Sequence, residues 1–394
     1  VTVNPFLTSA PVPYSDPTEL LYDQYSAAPP WVTAYNPSPS GTAYYVDGVG
    51  GNDGNDGLSP GTAKATIGAA IALAVNTGDY VEVAAATYSE GDLTLPNNGV
   101  TVRGPNHLTN PLTTPRVAEA ILDETTFKIG NSNIQIAGFK WTAAVGSNDC
   151  IGLTATTTTS TVIFNNVVDG TAQFFIDTID GQASIHSSWL VQQNDFKNTS
   201  VIGAGAIRFS CAVGSSGNVY WNNRFINEGI TPNDGFELVA DNENAIIGGC
   251  SFTGYDKAID VGSGSFGVKL LNCVVNTGQI EVRASGGATT EEITIQGCQL
   301  NACNINGVIV TTSGATSIVD NLLIDRNTIR LDLPNIADEQ SAIRLEFEQD
   351  TPQQSDQIEV KGNIIVFQGE PGIFANRSFA VFIAGHGCSA FDVT

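Results

Sequence analysis

Nine short segments of the chain share one pattern of apolar and polar positions. Each segment spans six residues. The first residues are all apolar: Ile136, Ile163, Val191, Tyr220, Ile247, Leu270, Ile295, Ile324 and Val360. The sixth residues are also apolar: Trp141, Val168, Phe196, Phe225, Phe252, Val275, Leu300, Ile329 and Ile365. The fourth residues are Phe139, Asn166, Asn194, Asn223, Cys250, Cys273, Cys298, Asn327 and Asn363, spaced 23 to 36 positions apart.

A strand-turn-strand unit that recurs at this period cannot bury its own apolar face, but stacked units share one continuous core. The pattern therefore predicts a solenoid of about nine to eleven coils. Parallel coils stack ~4.8 Å apart, so the fourth residues are expected to form a ladder inside a turn. Asn amides in such a ladder can hydrogen-bond along the stack and satisfy backbone groups. Tyr220 is one of the apolar first residues and is therefore predicted to point into the core. Trp189 lies two residues before the first residue Val191, so strand alternation predicts that it also points inward.

Three consecutive ladder positions hold cysteine instead of asparagine, at Cys250, Cys273 and Cys298. A small buried thiol fills the same space as the amide. Vertical neighbours in a stack lie slightly beyond the Cβ separation of ~3.5–4.5 Å that a disulfide prefers. These residues are therefore predicted to be reduced and to serve packing, without a metal.

The region before the repeat shows a different pattern. A Gly, Asn and Asp turn cluster precedes Lys64–Val75, where apolar residues recur at helical spacing, and a short strand is predicted at Tyr80–Val83. The stretches YYVDGVGGNDGNDGLSPGTAKATIGAAIALAV and AAATYSE resemble the N-terminal coils of the pectin-lyase-like proteins. That resemblance implies an all-β fold, a right-handed single-stranded parallel β-helix with an N-terminal capping helix.

Residues 1–40 contain eight of the 17 prolines together with six aromatic residues. Proline removes backbone donors and fixes φ, which excludes a helix or a central strand. We predict an extended arm that lies on this protein or on a neighbour in an assembly. The predicted organisation is an arm over 1–40, the start of the β-helix with its capping helix over 41–99, and the β-helix over 100–394.

Charge narrows the range of partners. Forty acidic and 16 basic residues give a net charge of −24, which repels nucleic acid and anionic membrane surfaces. No apolar run reaches the ~20 residues of a membrane helix, so no membrane insertion is expected. Three histidines and the absence of a CxxC pair give little support to zinc or Cys-His chemistry.

In a solenoid the inward columns are structural, so chemistry is expected on the outward strand faces or in the loops. Acidic residues are densest between Glu228 and Asp260. There, Asn233-Asp234-Gly235 and Asp256, 22 residues after Asp234, resemble the central coils of polygalacturonases, although the Gly-His-Gly and Arg-Ile-Lys motifs of those enzymes are missing at the matching coils. Paired carboxylates can divide the acid and the base or nucleophile roles. The candidate catalytic residues are Asp234, Glu237 and Asp256.

Candidate glycan-binding residues surround the same band: Trp221, Arg224, Tyr255 and Lys257. Strand alternation predicts that Trp221 points outward, because Tyr220 points inward. A lyase would need a basic residue to abstract the proton next to a uronate carboxylate, and Lys257, Arg224 and Arg208 are the available bases. The Asp47–Asp56 turn is a possible calcium site, although its spacing is not that of an EF-hand. No other cofactor is predicted.

Two functional classes are compatible with the sequence. The first is a recognition or structural protein of a virion surface or of the extracellular space, similar to a phage tailspike or fibre. In that case residues 1–40 would bind assembly proteins, the β-helix would contact glycans, and a homotrimer is expected. The second is a secreted polysaccharide lyase or glycoside hydrolase with its site around Asp234–Asp260. Cleavage of a glycan separates the two.

Overall fold

The computed structural model describes residues 35–143, 149–154, 157–172, 174–178, 185–199, 205–229, 234–303, 306–314, 316–332, 340–347, 357–368, 378–385 and 391–393. These residues form three long parallel sheets that wind around one apolar core. The predicted right-handed parallel β-helix is confirmed. With 13, 11 and 11 strands per sheet among the described residues, the solenoid reaches the upper end of the predicted coil number.

The first sheet contains the strands Ala43–Val46, Tyr80–Val83, Thr101–Arg103, Gln135–Ala137, Val162–Phe164, Leu190–Gln192, Val219–Trp221, Ile246–Gly248, Lys269–Leu271, Thr294–Gln296, Leu323–Asp325, Ile358–Lys361 and Phe391–Val393. The second sheet contains Ala86–Tyr88, Ala120–Leu122, Lys140–Ala143, Val167–Thr171, Asp195–Asn198, Arg224–Asn227, Ser251–Thr253, Val274–Val275, Gln299–Cys303, Thr328–Asp332 and Ile364–Gln368.

The third sheet contains Gly91–Leu95, Thr125–Ile129, Ile151–Leu153, Ile176–Asp177, Ile207–Ser216, Phe236–Glu243, Lys257–Val261, Gln279–Ser285, Asn306–Ser313, Gln340–Phe347 and Ser378–Gly385. Two further pairs, Thr157–Thr159 with Ile185–Ser187 and Thr289–Glu291 with Ile318–Asp320, lie in the turns. Eleven coils therefore contribute one strand to each long sheet, the first sheet has the additional strands Ala43–Val46 and Phe391–Val393 at its two ends, and the coils stack through parallel pairing.

The register confirms the two apolar columns read from the sequence. On the first sheet each first-column residue pairs with the next, from Ile136 through to Val360. On the second sheet the sixth-column residues pair in the same way, from Trp141 to Ile365. Tyr220 and Trp189 are fully buried, as predicted.

The ladder between these sheets forms as expected. The Asn194 side-chain carbonyl accepts from the backbone N–H of Asn166 at 2.9 Å, and Asn223 accepts from Asn194 at 3.0 Å. Cys250, Cys273 and Cys298 are buried, unpaired thiols in the same column. The residue before each ladder position has positive φ, for example Asn222 at 52° and Gly249 at 60°. This requirement explains the Asn and Gly at these positions, because both tolerate the left-handed region.

The N-terminal end of the solenoid is capped by less helix than the sequence predicts. A 3₁₀ turn at Pro60–Thr62 precedes an α-helix limited to Ile67–Ile71, whose first turn is capped by Thr66. The following strand, Tyr80–Val83, has the predicted bounds. No helix in the described part of the chain has the length and apolar content needed to cross a membrane. Of the proposed arm, residues 1–34 lie outside the described residues.

Candidate active site on the third sheet

A column of charged side chains runs up the outward face of the third sheet. Successive coils place in register Asp177, Arg208, Glu237, Asp260 and Glu281. The neighbours of Glu237 along its strand, Phe236 and Leu238, are fully buried in the core. Alternation along a strand therefore turns Glu237 away from the core. The same rule applies to Asp260 between Ile259 and Val261.

Asp234 reaches this column because of the residue that follows it. A Cβ at Gly235 would lie 2.7 Å from the carbonyl oxygen of Ala258 and 3.0 Å from the Tyr255 ring. Only glycine allows this close approach, which is fixed by a 2.7 Å hydrogen bond from the Gly235 N–H to the Lys257 carbonyl. The chain therefore enters the strand Phe236–Glu243 directly above the next coil, with Asp234 level with Lys257.

Three carboxylates converge at this point. Oxygens of Asp234, Glu237 and Asp260 all lie within 4.8 Å of one another. Asp260 is completely buried, whereas Asp234 and Glu237 are half-buried. The cluster thus has an inaccessible acid at its base and two accessible acids above it.

Two cations hold the buried acid. Arg283 donates to both oxygens of Asp260, at 2.8 and 2.6 Å. The Lys257 ammonium lies 3.4 Å from Asp260, 3.8 Å from Asp234 and 3.0 Å from Glu281. Arg208, which is next to Glu237 in the column, forms a bidentate pair with Asp177. Among the described residues, no hydrogen bond or ion pair to the Glu237 carboxylate is present.

Burial and repulsion raise the pKa values of the two accessible acids. For Asp234, burial raises the pKa most, and the nearby Lys257 cation partly offsets that rise. For Glu237, burial again contributes most, and the negative charges of Asp260 and Asp234 raise the pKa further. Burial opposes the charged form of Lys257, but the carboxylates of Asp260 and Glu281 outweigh it and raise the pKa of this lysine. The pKa values of both accessible acids are therefore raised, and Lys257 stays charged.

The structure brings together three of the residues singled out in the sequence, Asp234, Glu237 and Lys257. Asp256 is exposed and is not among the converging carboxylates, which corrects its pairing with Asp234. Phe236 pairs with Ile259, so the two coils are offset by 23 residues on this sheet and not by 22. A slip of one residue exchanges the faces of a strand, so Lys257 is level with Asp234 and Asp260 lies opposite Glu237.

Two aromatic glycan contacts expected from the sequence are also corrected. Tyr255 is 2% exposed and packs in the core beside Phe252. Trp221 does face outward, as alternation predicts, but it is 4% exposed within an apolar cluster. Neither ring has an open face for a sugar. Arg224 lies on the second sheet and is paired with Asp195, away from the acidic cluster.

Asp260, Arg283 and Glu281 complete the site, although the sequence did not single them out as site residues. Their signal was the alternation of Ile259, Asp260 and Val261, and of Ile280, Glu281, Val282 and Arg283. Aligning these segments as third-sheet strands would have placed them beside Glu237. In the Asp47–Asp56 turn, Asp53 accepts hydrogen bonds from the N–H groups of Ala65 and Thr66, both at 2.9 Å. That carboxylate therefore fixes the turn through backbone hydrogen bonds.

Comparison with known proteins found similar solved structures. An alginate lyase from Paenibacillus sp. str. FPU-7 has 13% identity and a TM-score of 0.49, over 82% of this chain and 97% of the lyase. The catalytic domain of a GH87 α-1,3-glucanase has 14% identity and a TM-score of 0.43, over 92% of this chain and 71% of that domain. A rhamnogalacturonan lyase has 13% identity and a TM-score of 0.30, over 89% of this chain and 84% of the lyase.

No protein-family model matches the sequence, and a search of curated proteins found no match. The activities named for the similar structures belong to those proteins, and the activity of this chain does not follow from them.

Proposed function

We propose that this chain is a glycoside hydrolase and that Asp234 and Glu237 are its catalytic pair. The observation that supports this is the convergence of two half-buried carboxylates above the buried, cation-held Asp260. Glycoside hydrolysis needs one carboxyl group that is protonated and one that is ionised. A cation, Lys257, lies 3.8 Å from the Asp234 carboxylate, whereas Glu237 has no ion-pair partner among the described residues.

Glu237 is the proposed general acid. Its carboxylate has no ion-pair partner among the described residues, and both neighbouring acids raise its pKa. Asp234 is the proposed nucleophile, because Lys257 lies 3.8 Å from its carboxylate and favours the ionised form. Asp260 does not touch substrate, since it is completely buried. It is a positioning residue whose negative charge contributes to the raised pKa of Glu237.

The short separation of the pair favours a retaining reaction. Inverting enzymes leave ~6.5–9.5 Å between the carboxyl groups for a water molecule, whereas retaining enzymes have ~5–5.5 Å. One oxygen of Asp234 lies within 4.8 Å of one oxygen of Glu237, too close for the water that an inverting enzyme places between its carboxyl groups. In the first step Glu237 would protonate the leaving oxygen while Asp234 bonds to the anomeric carbon. Water would then attack that carbon, returning its proton to Glu237 and releasing Asp234.

The test is incubation with a panel of bacterial and plant glycans, followed by mass spectrometry of the products. We expect cleavage by the wild-type chain, and NMR of the fresh product should show retained anomeric configuration. Glu237→Gln removes the acid, and loss of general acid catalysis typically costs ~10²–10⁴ in rate. Asp234→Asn should block the first step.

Asp256→Asn is the matched control, because Asp256 is a nearby acid that the structure leaves exposed outside the cluster. It should cleave at the wild-type rate. Equal loss in Asp256→Asn and Glu237→Gln would contradict the assignment. Products with an unsaturated terminal uronate would identify a lyase instead. Binding without cleavage across the panel would favour the recognition protein, for which the virion-surface or extracellular location and the homotrimer stay predictions.

A further inference from the structure

A polar groove lies at the corner where the third sheet passes into the first. Four successive coils supply its lining residues, which are Asn244, Gly267, Lys269, Glu292, Thr294 and Asn321. The groove has a volume of about 360 Å³. Asn244 directly follows the strand Phe236–Glu243, which carries Glu237 near its other end. The groove is therefore separate from the proposed catalytic pair.

The first sheet becomes polar where it borders this groove. Seven residues follow one another in register in one outward column: Val162, Leu190, Val219, Ile246, Lys269, Thr294 and Leu323. Four coils with an apolar residue are thus followed by two coils with a polar residue, and the next coil is apolar again. The two polar residues are the ones that line the groove. The exchange therefore serves the groove and not the packing of the sheet.

The turn before the first sheet supplies the rest of the lining. Asn244, Gly267, Glu292 and Asn321 occupy equivalent positions in successive coils, with φ of 53°, 67°, 56° and 50°. Gly and Asn suit this left-handed conformation, whereas other residues adopt it less often. Residues held in such conformations cluster at functional sites. The choice of glutamate at position 292 is thus better explained by a ligand than by the fold.

The backbone of this turn is hydrogen-bonded along the stack, which leaves its side chains for a ligand. The Asn244 N–H, for example, donates to the Phe266 carbonyl at 2.7 Å. Among the described residues, no hydrogen bond or ion pair is present at the side chains of Asn244, Glu292 and Asn321. Gly267 keeps the space between them open, because a Cβ there would lie 2.5 Å from the Asn244 side-chain oxygen.

We propose that this groove binds a neutral oligosaccharide that lies along the stack of coils. Lys269 and Glu292 balance each other in charge, so the groove favours neither an anion nor a cation. Together with the Asn amides and the Thr294 hydroxyl, they offer donors and acceptors to sugar hydroxyl groups. Because coils repeat every ~4.8 Å, close to the length of one sugar unit in a linear chain, the four coils accommodate about three units.

Calorimetry with neutral tetrasaccharides tests this proposal. The full-length Glu237→Gln chain is used so that the probes stay intact. The probes are cellotetraose, maltotetraose, laminaritetraose and the chitin tetramer, with tetragalacturonate as the acidic comparison. We expect a neutral probe to bind and to protect residues 267–269 and 292–294 from hydrogen–deuterium exchange. The proposal is overturned by no binding of any neutral probe, by equal binding of tetragalacturonate, or by protection confined to peptides around Asp234 and Glu237.

Two substitutions in the same chain remove the charged groups and restore the pattern of neighbouring coils. Lys269→Leu places an apolar residue in the apolar column, and Glu292→Asn places the asparagine of the next turn at a position of positive φ. Each should weaken binding about tenfold, as expected for the loss of one hydrogen bond to a charged group. Lys140→Leu, which removes a lysine from the second sheet, is the control and should bind normally. Unchanged binding in either groove variant would contradict the proposal. Because binding is measured, the result does not depend on whether the chain cleaves a glycan.

Discussion

Two bidentate arginine–aspartate pairs join neighbouring coils with almost the same geometry but in different surroundings. On the second sheet Arg224 donates to Asp195 at 2.7 and 2.5 Å, and the two residues are opposite each other in register. On the third sheet Arg283 donates to Asp260 at 2.8 and 2.6 Å, but the residue in register with Asp260 is Glu281. Arg283 therefore reaches across diagonally.

The difference concerns charge balance. Arg224 and Asp195 neutralise each other in a partly solvated position, with the Asp195 side chain 15% exposed. Asp260 is fully buried and lies among Asp234, Glu237 and Glu281, so that four carboxylates share the two cations Lys257 and Arg283. Like charges opposite each other destabilise a sheet. A balanced pair strengthens the solenoid, whereas repulsion within the unbalanced cluster contributes to the raised pKa of Glu237.

Among the substitutions at these two pairs, Arg283→Met is expected to change the free energy of unfolding most. Among the described residues, Arg283→Met leaves the buried Asp260 with Lys257 as its only ion-pair partner, in a cluster of like charges. Removing one partner of a buried pair typically costs ~3–5 kcal/mol. We expect a loss of about 3 kcal/mol in the free energy of unfolding at pH 7, because Lys257 compensates in part. Urea denaturation measures this loss.

A double variant identifies the cause of that loss. Adding Asp260→Asn to Arg283→Met removes the uncompensated charge, so part of the stability should return. If the double variant is no more stable than Arg283→Met alone, the loss comes from the packing of the arginine side chain and not from the charge of Asp260.

A substitution at Glu237 is expected to raise the free energy of unfolding, by less than Arg283→Met lowers it. Because its pKa in the folded protein lies above the ordinary value of 4.5, ionising this group costs stability. The folded protein keeps the full benefit of the protonated form below pH ~4.5 and loses it as the pH rises through the raised pKa. Glu237→Gln, which stays neutral, should therefore be more stable than wild type at pH 7 in urea denaturation.

The pH dependence gives the control for this prediction. The stability difference between Glu237→Gln and wild type should vanish below the ordinary glutamate pKa and should grow toward neutral pH. Equal stabilisation at every pH would show that the repulsion is not the cause. Stabilisation accompanied by loss of glycan cleavage is the trade-off expected of a strained catalytic group.

The sequence predicts the first two sheets well, because their strands are joined by a turn of constant length. Each ladder residue follows a residue of positive φ, so the columns on both sides keep one register from Ile136 to Val360. The third sheet follows loops of variable length. From the strand Arg224–Asn227 to Phe236 the loop is longer than from Ser251–Thr253 to Lys257.

This difference in loop length explains why the sequence paired Asp256 with Asp234. The offset between these coils is 27 residues on the second sheet, from Phe225 to Phe252, but 23 on the third, from Phe236 to Ile259. Sequence spacing alone does not fix a register that follows such loops, and one residue separates Asp256 from the correct face. Trp221 shows a second limit of prediction from sequence. Alternation predicts the direction of its side chain, but not that another part of the structure covers it.

The smallest change in the free energy of unfolding is expected at the Arg224–Asp195 pair, and it tests whether burial and charge imbalance distinguish the two pairs. Arg224→Met breaks the same bidentate geometry as Arg283→Met, but Asp195 keeps contact with water. Partly exposed ion pairs contribute ~0.2–1 kcal/mol and are screened by salt. We expect a loss below about 1 kcal/mol in urea denaturation, reduced further at high ionic strength, and unchanged glycan cleavage because the pair lies on another sheet. A loss as large as that of Arg283→Met would mean that burial and charge imbalance do not distinguish the two pairs. The acidic cluster would then be a structural network like the other.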